Sequence, residues 1–351
     1  MKSKNLSEKI LRSVKSKGFK YIELPSVIEA NHIVQRSGEN FRKFMFSFTD
    51  INGKELCLRP DLTIASCLRY LENNLKGKEK IFYSGQAYRK VQSKKDKIIR
   101  NQIGFEILGS KNEKNDDKEI INTSLKSLQN LKYSTGVLTI GNVEIFRLFI
   151  SKLEIPSRWK LRLVRHFWRQ DYFNDLLERL ETNQDIDPVE VEVDNRKYLE
   201  LLKKDPSIMI AGRSIGEILR RFDTKLKDPR TASKGKKNSK LIKSFLKIKC
   251  PINSAANELN KFFKKNKINL AVDQKYFPIS SNKISKLSVM FSTSFGREIE
   301  YYTGMVFKID IKSNSKLVNF VNGGRFDNLI ADLGSKKYIP AVGAAFNLNF
   351  K

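Results

Sequence analysis

Chemistry in this chain is carried by short polar strings set between apolar runs. The first is Leu58-Arg59-Pro60-Asp61-Leu62-Thr63, in which Asp61 and Thr63 fall just past an apolar strand, where a ligand-facing loop would sit. In Asn101-Gln102-Ile103-Gly104-Phe105-Glu106, residues Gln102, Gly104 and Glu106 alternate, so a strand here presents all three on one face. Gly104 would let something approach the sheet closely. Gly296-Arg297-Glu298-Ile299-Glu300-Tyr301-Tyr302-Thr303-Gly304 adds an arginine and two tyrosines, and Gly323-Gly324-Arg325-Phe326-Asp327 follows. A face carrying Asp, Glu, Gln, Arg and Tyr suits a zwitterionic amino acid: carboxylates accept from an ammonium group, and arginine grips a carboxylate through paired hydrogen bonds. Each residue alone also reads as an ordinary polar group. Gln102 and Glu106 could mark the wet face of an edge strand, and Tyr301 and Tyr302 could be core aromatics with hydroxyls at the surface. Their joint occurrence, in this order, is the signal.

The elements that must hold these residues are legible in outline. Residues 6–17 have the period of an amphipathic helix that Gly18 stops, and 19–24 read as a strand ended by Pro25. Phe44, Phe46 and Phe48 recur at strand period ahead of Asn52-Gly53, so 44–58 reads as a hairpin with a type I′ turn. Residues 64–75 read as a helix. Residues 81–88 and 102–108 read as strands joined by the lysine-rich loop 90–97. A helix opened by acidic residues follows over 116–131, then a buried strand, 137–140, and a helix, 143–153. From 159 to 265 the pattern is helical: 159–181, then 215–222 behind a capping box of Ser214 and Glu217, then 240–246 and 254–265. Residues 228–239, with Pro229, Gly235 and several lysines, read as an exposed loop. Strands return at 287–291, 305–311 and 341–348, with a short helix at 326–333. This order predicts an antiparallel α+β domain, 1–150 with 285–351, interrupted by a mainly helical insertion, 151–284.

At 351 residues the chain can build a substantial core. No run nears the roughly 18 apolar residues of a membrane span, and no secretory leader is visible. Cys57, Cys67 and Cys250 form neither a metal spacing nor a disulfide framework, and two histidines, His32 and His166, exclude a His-rich metal site. A reduced, cytoplasmic protein is expected, with no metal and no cofactor. The net charge of +29 comes mostly from lysines scattered through every segment, alongside many Asn and Ile. A-rich and T-rich codons explain that pattern, and a nucleic-acid partner is not expected from it.

The polar strings, in this order and spacing, resemble the class II catalytic core of histidyl-tRNA synthetase over residues 6–143 and 287–350. Residues 19–29 resemble the dimer-forming first motif, Tyr83 to Arg89 the second, and 300–307 the histidine-specific segment. The resemblance implies a class II aminoacyl-tRNA synthetase-like antiparallel sheet with helices and a helical insertion, without an anticodon-binding domain. It implies that Asp61, Thr63 and Gln102 hold the α-ammonium of histidine. Glu106 and Tyr302 would address the imidazole, with Tyr301 as a wall, and Arg297 would face the carboxylate. Arg89 would face the α-phosphate of ATP. Asp61 is one methylene shorter than the usual glutamate.

The departures point away from a synthetase. Lys90-Val91 replaces the acidic residue expected two places after Arg89, and Gly343 to Phe350 lacks the arginine that closes the third motif. Without it, charge developing on a triphosphate goes unneutralised. A synthetase-like chain with these losses resembles the regulatory subunits of ATP phosphoribosyltransferase. Asp-Leu at 61–62 and Ala211-Gly212-Arg213-Ser214 add to that likeness, although a Gly-Arg-Ser before a helix is also plain capping. The resemblance implies a non-catalytic homodimer that assembles with the short catalytic subunit into a hetero-oligomer and helps confer feedback inhibition by L-histidine. The alternative is a histidine-activating ligase.

Overall fold

The structure, a computed structural model, describes residues 2–37, 39–73, 77–91, 97–131, 135–182, 196–210, 213–226, 232–279, 281, 283–284, 286–296, 301–313 and 316–349. The chain divides into two compact units. One is Met1–Ile145 with Lys249–Lys261 and Ala271–Lys351, and the other is Phe146–Ile248 with Phe262–Leu270.

The first unit is built on a ten-stranded sheet. Its strands are β1 (Lys20–Tyr21), β5 (Glu79–Tyr88), β6 (Ile99–Leu108), β7 (Gly136–Asn142), β10 (Lys249–Pro251), β11 (Lys283–Ile284), β12 (Leu287–Ser292), β13 (Met305–Ser313), β14 (Lys316–Arg325) and β15 (Ala341–Asn347). They run in the order β1-β5-β6-β15-β14-β13-β7-β12-β10, with β11 beside β12. All pairs are antiparallel except β1 with β5 and β12 with β7. A small sheet of β2 (Val27–Glu29), β3 (Ser47–Thr49) and β4 (Glu55–Leu58) lies apart from this order. The architecture is the largely antiparallel α+β that the strand and helix order predicts, and it agrees with the class II synthetase-like sheet that the resemblance implies.

Helices α1 (Lys2–Lys15) and α4 (Glu113–Asn130) cover the sheet face that carries Ile103, Phe105 and Ile107. There Phe19 meets Phe105 edge-on at 5.4 Å, and Phe105 stacks on Phe346. Helix α3 (Leu62–Glu72) packs on the other face. Its Leu62, Ile64 and Leu68 share a core with Ile81, Tyr83, Leu108, Tyr301 and Phe326. Between the β2 strand and β3 lie α2 (Ala30–Ser37) and a 3-10 turn, Glu39–Phe44.

Several local expectations change. Phe44 ends the 3-10 turn, so strand pairing begins only at Ser47. The β3–β4 turn is not type I′: Gly53 has φ +78°, while Asn52 stays at negative φ. Asp50 organises the loop instead, its Oδ1 accepting from the backbone N–H of Asn52 at 2.9 Å and of Lys54 at 2.8 Å. Only Lys20–Tyr21 of the expected strand 19–24 joins the sheet. Strand β14 was hidden in sequence because its polar residues and Gly323-Gly324 mimic a turn. Both glycines in fact lie mid-sheet, facing Ala344 and Gly343.

Along the chain α5 (Val143–Ser151) leads into the second unit, which contains α6 (Ser157–Arg165), α7 (Gln170–Thr182), the paired strands β8 (Met209–Ile210) and β9 (Arg213–Ser214), and the helices Ile215–Leu226 and Ala232–Phe245. Its core is aromatic: Phe146 stacks on Phe167 at 3.8 Å and Phe149 on Phe245 at 4.3 Å. The capping box is in place, with Ser214 N–H donating to Glu217 Oε2 and Glu217 N–H to Ser214 Oγ, both at 3.2 Å. Ala211 and Gly212 of the Ala-Gly-Arg-Ser string lie outside the described residues. The expected loop 228–239 is overturned from Ala232 onward, where the chain is helical. Gly235 sits there because the helix touches α7: a Cβ on it would lie 1.9 Å from the Leu180 carbonyl oxygen. Ser239 and Lys243 then both donate to Glu181, each at 2.6 Å.

Candidate functional site

On the α3 side of the sheet a cleft of about 330 Å³ opens over β6, β13, β14 and β15. Its floor is low because small residues line it where strands cross: Gly323, Gly343, Ala344 and Ala345. Polar groups reach it from the sheet and from the two segments ahead of α3 and β13.

Arg59 sets the approach to α3. It is 5 % exposed, and it donates from Nε to the Gln86 carbonyl at 2.9 Å and from Nη1 to the Pro25 carbonyl at 2.8 Å. These bonds fix the turn that delivers Asp61. Asp61 is the N-cap of α3: its Oδ1 accepts from the Ile64 N–H at 3.0 Å. Its Oδ2 accepts from the Tyr301 hydroxyl at 3.3 Å and lies 3.6 Å from Arg89 Nη2. Arg89 in turn donates from Nε to the Pro60 carbonyl at 2.8 Å and stands over the Phe41 ring.

Asp61, Thr63, Gln102, Tyr301 and Tyr302 all line the cleft, as does Arg89. Glu106 does not. It shares the face of Gln102 and Gly104, but its carboxylate lies one layer behind, 1 % exposed, accepting from Tyr83 Oη at 2.7 Å and from Ser66 Oγ of α3. Arg297 lies outside the described residues. Tyr83, Arg100 and Asn322 also line the cleft. Tyr83 enters the sequence argument only as the start of the second motif, and Asn322 lies in β14, whose pattern hides a strand.

The role expected of Gly104 changes too. The space above it is taken by the Tyr83 ring, which lies 2.3–2.5 Å from where a Cβ would stand. Gly104 therefore admits a side chain of this protein rather than a ligand. Gly343 does the same for Glu106, whose Cγ would be 2.6 Å from an added Cβ.

Burial dominates the electrostatics of this wall. It pushes the Glu106 carboxyl up to about 7, against the pull of hydrogen bonds from Ser66, Tyr83 and Thr63, with nearby Asp61 raising it further. Burial, followed by the Asp61 charge, also raises the Tyr301 hydroxyl well above its ordinary range; Tyr83 is raised likewise by burial and by Glu106. Both tyrosines therefore stay protonated and act as donors. The cleft offers one carboxylate, two guanidinium groups, two amides and several hydroxyls. That set can hold a small molecule with both an ammonium and a carboxylate. Among the described residues no group of three or more His, Cys, Asp or Glu is placed to bind a metal ion. No described helix is long and apolar enough to cross a membrane.

At the far end of β15, where an ATP-gripping arginine would be expected, the chain continues through Leu348 and Asn349. Asn349 Oδ1 accepts from the Asn101 N–H at 2.6 Å, and its Nδ2 donates to the Ile99 carbonyl at 2.6 Å. The segment is tied to the chain's own backbone.

Comparison with known proteins places these features. The family profile described as histidyl-tRNA synthetase matches residues 1–350. Two relatives called ATP phosphoribosyltransferase regulatory subunit are similar over nearly the whole length. The one from Agrobacterium fabrum is 27% identical over 92% of this chain and 89% of its own. The one from Brucella anthropi is 28% identical over 92% and 89%. Among solved structures, a histidyl-tRNA synthetase from Nostoc sp. superposes with a TM-score of 0.62 at 17% identity, covering 99% of this chain and 69% of that one. A chain of an ATP phosphoribosyl transferase complex from Thermotoga maritima superposes with a TM-score of 0.55 at 18% identity, covering 99% and 98%. These structural likenesses concern the fold.

Proposed function

The chain belongs to the histidyl-tRNA synthetase family, and from that premise we propose that it is a regulatory subunit of ATP phosphoribosyltransferase rather than a synthetase. The observation that carries this reading is the end-to-end likeness to relatives bearing that name, 92% of this chain against 89% of theirs. Two features of the site support it. Arg89, the expected phosphate contact, is engaged by Pro60 and lies beside Asp61. The third-motif position carries Asn349, not arginine, tied to Asn101 and Ile99 and accepting from Lys97 Nζ at its carbonyl.

In this reading the protein works in the cytoplasm as a homodimer paired through the region of residues 19–29. It joins short catalytic subunits in a hetero-oligomer, raises their activity and makes them sensitive to L-histidine. Asp61, Thr63, Gln102, Tyr301 and Tyr302, with Arg297, form the amino-acid pocket, and Glu106 supports Tyr83 in its wall. Linkage makes the effect reciprocal: if histidine shifts the complex toward an inactive state, substrates that favour the active state weaken the complex's binding of histidine.

The test is phosphoribosyl transfer to ATP by the short catalytic subunit of the same organism, with and without this protein, across a histidine titration. A raised rate together with new histidine inhibition supports the reading; no change in either sinks it. Histidine-dependent pyrophosphate exchange would instead favour the histidine-activating ligase.

A further inference from the structure

The sheet face opposite the cleft holds a second cavity, of about 380 Å³, within the same unit. Its floor joins β14 to α4. Arg325, 5 % exposed, donates from Nε and Nη2 to Asp117 Oδ1 at 3.0 and 2.7 Å, and from Nη1 to Asp327 Oδ1 at 2.8 Å. One buried guanidinium is thus shared by two carboxylates. A buried charge is tolerated when it is paired, and this count leaves one negative charge over.

The excess is local to Asp117. Arg325 takes only Oδ1, and Oδ2 receives no hydrogen bond among the described residues. Burial, with Asp327 and Glu113 nearby, pushes the Asp117 carboxyl up to about 6 despite Arg325. Tyr276, Phe277 and Pro278 also line it, and Met305 lies beside Arg325 on the sheet. Asn142 holds the Tyr276 segment in place, donating from Nδ2 to the Tyr276 carbonyl at 3.2 Å. Lys114 and Lys118 stand at the rim, exposed to solvent, where water and salt screen them, and Lys275 Nζ lies 5.3 Å from the centroid of the Tyr276 ring.

We propose that this cavity is a second binding site, for a small organic cation whose ammonium or amidinium group meets Asp117 Oδ2 while a flat apolar body lies along Tyr276 and Met305. The assignment is independent of the regulatory reading and fails or stands separately from it. Charge-assisted hydrogen bonds to a partly buried carboxylate are the strong kind, and a planar amidinium matches carboxylate geometry.

The probe is benzamidine, titrated by calorimetry into the full chain, with benzamide as its neutral isostere. Saturable binding of benzamidine, at least tenfold tighter than benzamide, is expected. Asp117→Asn should lower that affinity at least tenfold. Because Asp117 also holds Arg325, a second variant, Tyr276→Ala, leaves every floor ion pair in place and should weaken binding at least threefold. Equal affinity for the two probes, no saturable benzamidine binding by the folded protein, or unchanged affinity in Tyr276→Ala would overturn the proposal.

Discussion

The Tyr83 hydroxyl donates to Glu106 at 2.7 Å while its ring fills the space over Gly104, so one side chain both holds the buried carboxylate and walls it from the cleft. Strand pairing explains why: Tyr83 and Gly104 are direct neighbours across β5 and β6, and only a residue without a side chain leaves the ring its place.

Gly104→Ala should therefore destabilise the first unit. The added methyl would meet the ring at 2.3–2.5 Å, far inside contact distance. Overpacking of this kind costs about 1–3 kcal/mol, and urea denaturation with an unchanged slope would measure it. A neutral effect would mean that Tyr83 moves freely.

Glu106 gives stability a pH dependence of predictable sign. Its folded value of about 7 lies above the ordinary 4.5, so between those values the folded protein keeps a proton that the unfolded chain has released. The stability gained is full below about pH 4.5 and is lost as the pH rises through 7. The shift corresponds to about 3 kcal/mol. Glu106→Gln should remove this dependence, so the difference in unfolding free energy between the two proteins should change across pH 4.5–7. A constant difference over that range would refute the assignment.

Asp61 has two separable duties, capping α3 and facing the cleft. Asp61→Asn keeps an oxygen for the Ile64 N–H, so its stability should stay near that of the parent. Asp61→Ala loses the cap and about 1 kcal/mol. Both lose the charge beside Arg89, and calorimetry should show weaker L-histidine binding in both if the cleft is the amino-acid pocket. Weaker binding in Asp61→Ala alone would assign Asp61 a structural duty only.

Gly235→Ala should disrupt the helix contact in the second unit. Its methyl would stand 1.9 Å from the Leu180 carbonyl oxygen, which is backbone and yields poorly. A cost of about 3 kcal/mol is expected, at the upper end for overpacking, read as a lowered unfolding midpoint. Ser239→Ala, which removes one of two donors to Glu181, should cost less.

The sequence made the residue types of the cleft legible because they sit in fixed order on strands whose alternation is plain. Gln102 and Glu106 do share a face, as their spacing requires. What spacing could not show was depth. Whether Glu106 faces solvent or its neighbours depends on Tyr83 and Ser66, which lie on other elements. The loop expected at 228–239 failed for a similar reason: Gly235 looks like a helix breaker until α7 is seen against it. Strand β14 went unread because its glycines and asparagines have low intrinsic strand preference, and pairing with β13 and β15 overrides that preference.

Thr303 gives the two faces of the sheet a common seam. Its N–H donates to the Arg325 carbonyl at 2.8 Å, and its hydroxyl accepts from the Asp327 N–H at 3.1 Å. The two residues before it, Tyr301 and Tyr302, look into the cleft, and the two after it, Gly304 and Met305, look into the opposite cavity. Five consecutive residues thus thread from one chamber to the other, stitched at their midpoint to the strand end that carries Arg325. The lining of each chamber is thus joined to that of the other through one residue, Thr303, by the chain itself and by its hydrogen bonds to the Arg325 carbonyl and the Asp327 N–H.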